Sequence, residues 1–373
     1  MATEKLIQPS VLTEQTDRAD PGQSERWNIE RLSAGNRQEW DVFVRSSPDG
    51  LPTQLSAWEG IMSANYGYPC HFLLARRDGR VEGVLPLFLV DSFLTGRRLD
   101  SMPGAACACD SHAANALLTA ADQLAHELKI DYLLLRDARH TWPDSSLEVL
   151  EAHRGIRRQL IHDSEKTWKS LPKDVRYHIR NGQKQAELEI HTDQAGVQDF
   201  YTFLNHYNRK VGTPSFSYRF LEHVAGALPD SFQITRLLHQ GQWIGGFFNF
   251  RMGGSIYGMW GGSSHAFLKM KPNHQALWAM IQQGSAQGFT VLDMGRSEYP
   301  STQYDFKEQW GDQVYPIYQL YTVYRGKKPR MLEIRNTQQK TGRFSLFRSA
   351  WKRLPDRAAR QLGPHIRWHL PFG

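Results

Sequence analysis

An internal repeat constrains the fold of this 373-residue chain more than any single motif does. Residues 78–83 (DGRVEG) in the first half match residues 240–245 (QGQWIG) in the second, with glycines at the same two positions. In both halves the matched segment precedes an apolar strand pattern, a helix pattern and another apolar strand. The repeat therefore predicts an α/β (α+β) protein of two similar halves, each a mixed sheet covered by helices.

The spacing of apolar residues predicts the elements of each half. In the first half it indicates helices over 36–45 and 54–62, a hairpin over 72–90, a helix capped by Ser111 and a strand over 131–135. In the second half it indicates helices over 171–185, 197–208, 218–227 and 273–287, and strands over 232–238, 247–250, 256–260 and 291–297. A polar loop is expected to follow the last strand.

Charge and composition divide the chain into four segments. We predict a disordered N-terminal tail over 1–25, an N-terminal domain over 26–160, a C-terminal domain over 161–325 and a basic amphipathic tail over 326–373. The last segment holds 12 of the 45 lysines and arginines but 2 of the 38 acids, so it accounts for the net charge of +7. The rest of the chain is slightly acidic and is not expected to bind DNA.

The basic tail has one apolar helical face, formed by Phe347, Ala350, Trp351 and Leu354. This pattern suits contact with an anionic membrane surface, where basic residues around the face meet lipid phosphates. It suits packing on the body of the protein equally well. The sequence allows both interpretations of the tail.

Cysteine and hydropathy patterns predict a cytoplasmic protein without a metal. Cys107 and Cys109 are separated by one residue, a poor geometry for a disulfide, and no second cysteine pair accompanies them as in a zinc site. The first 26 residues lack the apolar core of a signal peptide. The longest apolar run, 84–90, is too short to cross a bilayer. We expect the protein to contact a membrane, if at all, as a peripheral protein at its inner face.

The densest chemistry follows an apolar strand pattern at the end of the second half. Asp293, Gly295 and Arg296 interrupt that pattern, and Lys307 ends the polar segment after it. When the final strands of the two halves are aligned, Leu134 falls opposite Asp293. The second half is therefore the expected site of chemistry.

Several motifs, in this order, resemble one family. They are Arg176–Arg180 with Lys184, Gly212-Thr213-Pro214, Asp293-Met-Gly-Arg-Ser297, Phe306-Lys-Glu-Gln-Trp-Gly311, and in the tail 351–355 and 362–364. From about Trp27 onward the chain resembles the FemAB-like proteins of PEP-CTERM and exopolysaccharide gene clusters, relatives of the Fem-type peptidyltransferases. The resemblance implies tandem GNAT-like acyltransferase domains.

The resemblance also implies the reaction class. It implies transfer of an acyl or aminoacyl group to an amine on an exopolysaccharide or cell-envelope precursor, from aminoacyl-tRNA, acyl-carrier protein or acyl-CoA, with no bound cofactor. The acceptor would be an amine-bearing sugar or peptide. Residues 265–273 lack the glycine-rich turn with which CoA-binding relatives hold pyrophosphate, so simple acetyl-CoA use is disfavoured. The alternative is a non-catalytic binding module at the membrane.

Roles follow for individual residues. Lys307, at the reaction centre in Fem relatives, is expected to stabilise the oxyanion, and Asp293 to act as base. Arg296 either holds an acidic substrate group or neutralises Asp293. The remaining candidates are the helical stripe Arg176, Arg180 and Lys184, for phosphates or merely solvated, and the substrate-contacting residues Arg209, Asn249, Trp260, Ser297, Tyr304 and Phe306.

Overall fold

The computed structural model describes residues 27–142, 145–185, 188–329 and 343–369. Its strands are β1 (Asn28–Arg31), β2 (Leu73–Arg77), β3 (Arg80–Leu85), β4 (Leu87–Ser92), β5 (Gly96–Ser101), β6 (Cys107–Ala108), β7 (Tyr132–Ala138), β8 (Glu148–Gln159), β9 (Glu189–Asp193), β10 (Phe232–His239), β11 (Gln242–Met252), β12 (Ser255–Ser263), β13 (Val291–Ser297) and β14 (Gln313–Val323). Its α-helices are α1 (Arg37–Ser46), α2 (Ala57–Tyr66), α3 (Ser111–Glu127), α4 (Ser164–Ser170), α5 (Lys173–Gln185), α6 (Val197–Val211), α7 (Tyr218–Ala227), α8 (Pro272–Ala286), α9 (Thr302–Glu308), α10 (Arg343–Arg353) and α11 (Asp356–His369).

A ten-stranded mixed sheet runs through both halves in the order β4-β5-β7-β14-β8-β13-β12-β11-β10-β9. A second, four-stranded sheet has the order β1-β2-β3-β6. Helices cover these sheets, so the predicted fold class is confirmed. The strand pattern predicted over 84–90 is divided at Pro86, which cannot donate to a ladder, and its two parts enter different sheets.

The two halves exchange strands at the centre of the large sheet. β8 is the last strand of the predicted N-terminal domain, yet it pairs antiparallel with both β13 and β14 of the second half. β14, the last strand of the second half, pairs with β7 of the first. The domain limits predicted at 160 and 161 therefore fall beside a strand that is built into the sheet next to β13.

Aromatic packing also joins the halves. Trp58 on α2 is fully buried and its ring lies 6.1 Å from that of Phe250 on β11. Phe220 on α7 lies 6.3 Å from the same indole. Burial of such rings supplies much of the stability of a core, so this cluster stabilises the contact between the halves.

The described part of the tail, 343–369, packs on the body through Trp351, while Ala350 of the same apolar face is exposed. Trp351 on α10 is only 3% exposed and stacks on Phe347 at 5.7 Å. Arg209 on α6 donates hydrogen bonds to the carbonyls of Lys352 at 3.1 Å and Leu354 at 3.0 Å. Packing of the tail on the body is thus observed, and contact of the tail with a membrane stays a prediction. Among the described residues no helix is long and apolar enough to cross a membrane.

Two local predictions are corrected. Asp110, and not Ser111, caps α3, because its side chain accepts a hydrogen bond from the backbone N–H of Ala113. The segment before Lys307 is not a loop throughout, since Thr302–Glu308 form α9. Ser301 caps this helix by accepting from the N–H of Tyr304 at 3.1 Å.

Candidate active site

A bulge in β13 creates the site. β12 and β13 pair in parallel only from Ser255–Tyr257 and Val291–Asp293, and the register of β13 with β8 shifts between Asp293 and Arg296. Gly295 lies in this bulge with φ 71°, and a Cβ there would sit 2.7 Å from the carbonyl oxygen of Gly258. Only glycine fits this conformation and this approach, which explains the Gly in the motif.

Lys307 caps the bulge. Its Nζ donates hydrogen bonds to the carbonyl of Met294 at 2.7 Å and to that of Arg296 at 3.1 Å. An ammonium has three donors, so one remains beyond these two carbonyls. Burial lowers the pKa of Lys307 to about 8, with the charge of Asp293 opposing that shift. The group is therefore largely an ammonium near neutral pH, and it loses its proton more readily than a surface lysine.

Lys307 lines a cleft of about 390 Å³ to which both halves contribute. The first half supplies Leu51, Pro52, Thr53, Pro103, Gly104, Asp137 and Arg139; the second supplies Phe247, Asn249, Phe250, Tyr257–Gly261, Asp293–Arg296, Gln303, Lys307, Tyr315 and Ile317. The cleft is thus a composite of the two halves. Clefts of this size, apolar with a few converging polar groups, are typical of small-molecule sites.

A smaller apolar pocket of about 90 Å³ adjoins the cleft at Lys307. The lining shared by both cavities includes Asn249, Gly258, Met294 and Lys307. Leu277, Met280, Leu292 and Phe306 are among the residues that line the small pocket alone. Lys307 therefore lies where a larger, partly polar space meets a narrow apolar one.

Asp293 is buried and fully occupied by donors. One of its oxygens accepts from Arg139 at 2.9 Å and from Arg157 at 3.0 Å, and the other accepts from the N–H of Gly295 at 2.9 Å. The Tyr315 hydroxyl donates to the same carboxylate at 2.8 Å. Burial alone raises the pKa of Asp293, but the two guanidinium groups and these hydrogen bonds lower it overall. A carboxylate held this way is a weak proton acceptor.

Gly155 makes the contact between Tyr315 and Asp293 possible. A Cβ at Gly155 on β8 would lie 2.1 Å from the ring of Tyr315, which faces it across the ladder. The ring therefore lies flat over the glycine, and its hydroxyl reaches Asp293. Burial raises the pKa of Tyr315 further above its ordinary value, so the hydroxyl stays protonated and donates.

Arg296 pairs with the first half and not with Asp293. Its Nη1 lies 2.7 Å and 3.0 Å from the two carboxylate oxygens of Asp137. Gln319 donates to the same carboxylate at 2.8 Å. The expectation that Arg296 neutralises Asp293 is therefore wrong; Arg139 and Arg157 do so. The side chain of Arg296 is 33% exposed and lines the cleft.

The comparisons with known proteins bear on this geometry. Residues 169–308, which include β13 and α9, match a family described as an acetyltransferase (GNAT) domain. The chain has a tandem GNAT-like fold. One solved tandem GNAT protein, from the clavulanic acid biosynthesis pathway, has a TM-score of 0.50 and 11% identity, covering 81% of this chain and 100% of that one.

Two further solved structures share this fold. FemX has a TM-score of 0.61 at 15% identity, covering 79% of this chain and 97% of that chain. L-PGS from Bacillus licheniformis has a TM-score of 0.51 at 13% identity, covering 80% of this chain and 94% of that chain. No curated protein matches the chain in sequence. At sequence identities this low, the similarity to these structures establishes the GNAT-like fold alone.

The structure brings some of the other sequence candidates to the site. Asn249 and Trp260 line the cleft, and Phe306 lines the small pocket. Ser297 is buried just beyond the bulge, and its hydroxyl has no hydrogen-bond partner in the described part of the chain. Tyr304 is buried but does not line either cavity; its hydroxyl donates to Glu308 at 2.7 Å.

The basic candidates lie elsewhere on the GNAT-like domain. Arg209 binds the tail, since it also pairs with Asp356. Arg176, Arg180 and Lys184 lie on α5, and none of them lines the cleft or the small pocket. The guanidinium of Arg180 instead covers the ring of Trp168 at 5.1 Å.

Sequence reasoning missed the contribution of the first half. Asp137 and Arg139 at the end of β7, together with Arg157 and Tyr315, complete the polar part of the site. A signal was available in the repeat. The alignment that sets Leu134 opposite Asp293 also sets Asp137 opposite Arg296, so the ends of the two equivalent strands were candidates to meet.

Proposed function

We propose that this protein is an N-acyltransferase that transfers an acyl or aminoacyl group to an amine. The observation that carries the proposal is the position of Lys307, whose ammonium lies at the junction of the cleft and the apolar pocket. An acyl group with its apolar part in the pocket has its carbonyl at this junction. The cleft then receives the acceptor.

The reaction places a single demand on that junction. The amine nitrogen forms a bond to the acyl carbon, the bond from that carbon to the donor oxygen or sulfur breaks, and the amine proton leaves with the donor group. Negative charge develops on the carbonyl oxygen before the donor leaves. The third N–H of Lys307 meets this charge, while Met294 and Arg296 hold the ammonium in place.

Asp293 acts in this proposal as a positioning residue. Its pKa is lowered and four residues donate hydrogen bonds to its carboxylate, so proton abstraction by Asp293 is unfavourable. It fixes the bulge through Gly295 and holds Arg139 at the cleft wall. Arg296, fixed by Asp137, offers its remaining donors to an anionic group on the acceptor.

For the substrates, we propose an amine-bearing sugar or peptide of an exopolysaccharide or envelope precursor, as the sequence resemblance implies. The donor is drawn from aminoacyl-tRNA, acyl-carrier protein and acyl-CoA. The small apolar pocket, of about 90 Å³, adjoins the cleft at Lys307 and suits the apolar part of the acyl group.

The competing proposal, a non-catalytic binding module, needs no ammonium at a junction of cavities. A donor panel separates the two. Each donor class, labelled in its acyl group, is incubated with protein and with amino-sugar or peptide amines, and amide products are measured by mass spectrometry. Amide formation from one class supports the transferase. Saturable binding of a donor or acceptor without amide formation from any class contradicts it.

A further inference from the structure

The turn between β4 and β5 projects two apolar side chains into solvent. Phe93 is 84% exposed and Leu94 is 58% exposed. The turn is nevertheless well bonded: the hydroxyl of Ser92 accepts from the backbone N–H groups of Leu94 at 3.2 Å and Thr95 at 3.3 Å. The carbonyl of Thr95 accepts from the Tyr132 hydroxyl at 2.8 Å. These bonds hold the two apolar side chains outward.

The end of α11 adds a third apolar group to the same surface. Trp368 is 41% exposed, and its ring stacks on that of His369 at 5.4 Å. The His369 ring in turn lies 4.5 Å from that of Phe93, and its carbonyl accepts from the Thr95 hydroxyl at 3.1 Å. We call Phe93, Leu94 and Trp368 the apolar tip. It joins the first half to the tail.

Free cations border the apolar tip. A shallow cavity of about 440 Å³ is lined by Leu94 together with Arg325 and Lys327. Both basic residues are exposed, and neither pairs with a carboxylate within the described ranges. Asp91 is paired with Arg97. Asp131 also lines the cavity and keeps its charge while it accepts from the backbone N–H of Arg97 at 2.9 Å, so the lining carries two cations against one carboxylate. The surface next to the apolar tip is therefore positively charged.

We propose that this patch docks the protein on an anionic phospholipid surface. Phe93, Leu94 and Trp368 enter the headgroup boundary, and lipid phosphates occupy the cavity beside Arg325 and Lys327. The positive charge of Arg325 and Lys327 favours this occupant. Exposed apolar side chains beside unpaired cations suit an anionic bilayer, because the apolar side chains enter the lipid while the cations meet its phosphates. On α10, whose apolar face the sequence offered for this role, Trp351 is buried.

Docking and catalysis are separable in this arrangement. β7 begins at Tyr132, beside the patch, and ends at Ala138, next to Asp137 and Arg139 in the cleft. Seven residues at about 3.3 Å each put the cleft roughly 20 Å from the patch. The proposal is thus independent of the proposed reaction, and variants in the patch leave the cleft intact.

Vesicle flotation of the full chain tests the proposal. Vesicles of phosphatidylcholine alone are compared with vesicles that also contain phosphatidylglycerol. The variants are F93S/L94S, which keeps the backbone bonds of the turn, and R325Q/K327Q. The matched control is V42S/Y177S, which removes two exposed apolar side chains from α1 and α5. Size-exclusion chromatography of each protein reports the oligomeric state.

We expect the parent and the control to float with anionic vesicles only. F93S/L94S should bind at least roughly tenfold more weakly, because two apolar side chains no longer enter the lipid. R325Q/K327Q should bind anionic vesicles more weakly than the parent at low salt, and its binding should fall less steeply as salt rises, because two charge contacts are gone. A parent protein that does not float, or F93S/L94S that floats like the parent, overturns the proposal. A parent dimer that F93S/L94S converts to monomer also overturns it, since the patch is then an interface between copies.

Discussion

Arg296 and Asp137 hold the two halves together at the cleft, with Nη1 of the arginine 2.7 Å from a carboxylate oxygen of the aspartate. The two residues occupy equivalent positions in the repeat, one at the end of β13 and one at the end of β7. Because the pair is partly buried, removing one partner leaves the other charge without compensation. The relationship explains how the candidate active site draws on both copies of the fold.

Asp137→Asn should therefore destabilise the protein. We expect a loss of roughly 1–3 kcal/mol in the free energy of unfolding, measured by urea denaturation, because a partly buried arginine loses its charged partner. Arg296→Gln and the double variant complete a cycle whose coupling energy should exceed about 0.5 kcal/mol. Costs that simply add would show that this pair does not couple the halves.

Asp293→Asn should act on stability before it acts on chemistry. Arg139 and Arg157 both lose their buried counter-charge, which typically costs roughly 3–5 kcal/mol. The lowered pKa of Asp293 adds a pH dependence: its contribution is present above the pKa of an unfolded carboxyl and is lost as pH falls through the lower folded value. Asp305→Asn, an exposed carboxylate on α9, is the control and should change stability by less than about 0.5 kcal/mol.

Urea denaturation and a pH–rate profile of each protein decide the role of Asp293. Normal stability of Asp293→Asn, with loss of the acidic limb of the rate profile, would return this residue to the role of general base.

The lowered pKa of Lys307 has opposite effects on stability and rate. Burial lowers it to about 8, whereas an unfolded lysine titrates near about 10.4. Between these two pKa values Lys307 is protonated in the unfolded chain but largely deprotonated in the folded protein. The unfolded state therefore binds more protons, and the free energy of unfolding rises with pH. The rate should fall over the same interval, because the ammonium is lost. Urea denaturation and kcat, both measured from pH 7 to 10, check this. A value of kcat that does not change up to pH 10 would contradict an essential ammonium.

The basic stripe on α5 tests the nature of the donor. Replacement of Arg176 and Arg180 by glutamine should weaken binding of a polyphosphate donor such as tRNA, and should reduce the slope of log affinity against log salt by about 1 to 2. Replacement of Lys166 and Lys169 on α4, which are also exposed, is the matched control. Binding isotherms at several salt concentrations give both slopes. Equal slopes for parent and stripe variant would assign the stripe to solvent.

Elements with local signals were predicted well. α7 spans Tyr218–Ala227, as its apolar spacing indicates, and Ser217 caps it by accepting from the N–H of Phe220. Asp293 and Lys307, from two neighbouring motifs singled out in the sequence, both line the cleft. These features depend on residues that are close in the sequence, where periodicity and capping are informative.

Features that depend on distant pairing were not predicted. β8 has the sequence EVLEAHRGIRRQ, in which charged residues obscure the alternation of apolar and polar residues expected of a strand. Arg157 and Arg158 are among these charged residues, and they form hydrogen bonds inside the protein, to Asp293 and to the carbonyl of Trp310. α9 has only seven residues, too few for apolar periodicity to distinguish it from a loop. Arg139 meets Asp293 only because β14 and β8 are exchanged between the halves, and no local pattern contains that information.

The measurement that tests the central claim most directly is single-turnover transfer by Lys307→Met. This change keeps the side-chain stem and removes the charge at the junction of the two cavities. Lys166→Met, on the exposed face of α4, is the control for loss of a lysine. Urea denaturation confirms that both variants are folded at the assay temperature.

With the donor and acceptor identified by the donor panel, the account predicts a rate of acyl transfer lower by about a hundredfold or more in Lys307→Met, with substrate affinity little changed, because the ammonium acts mainly on the transition state. Lys166→Met should react at the parental rate. A folded Lys307→Met protein that transfers the acyl group as fast as the parent would contradict the assignment of Lys307 to the reaction centre.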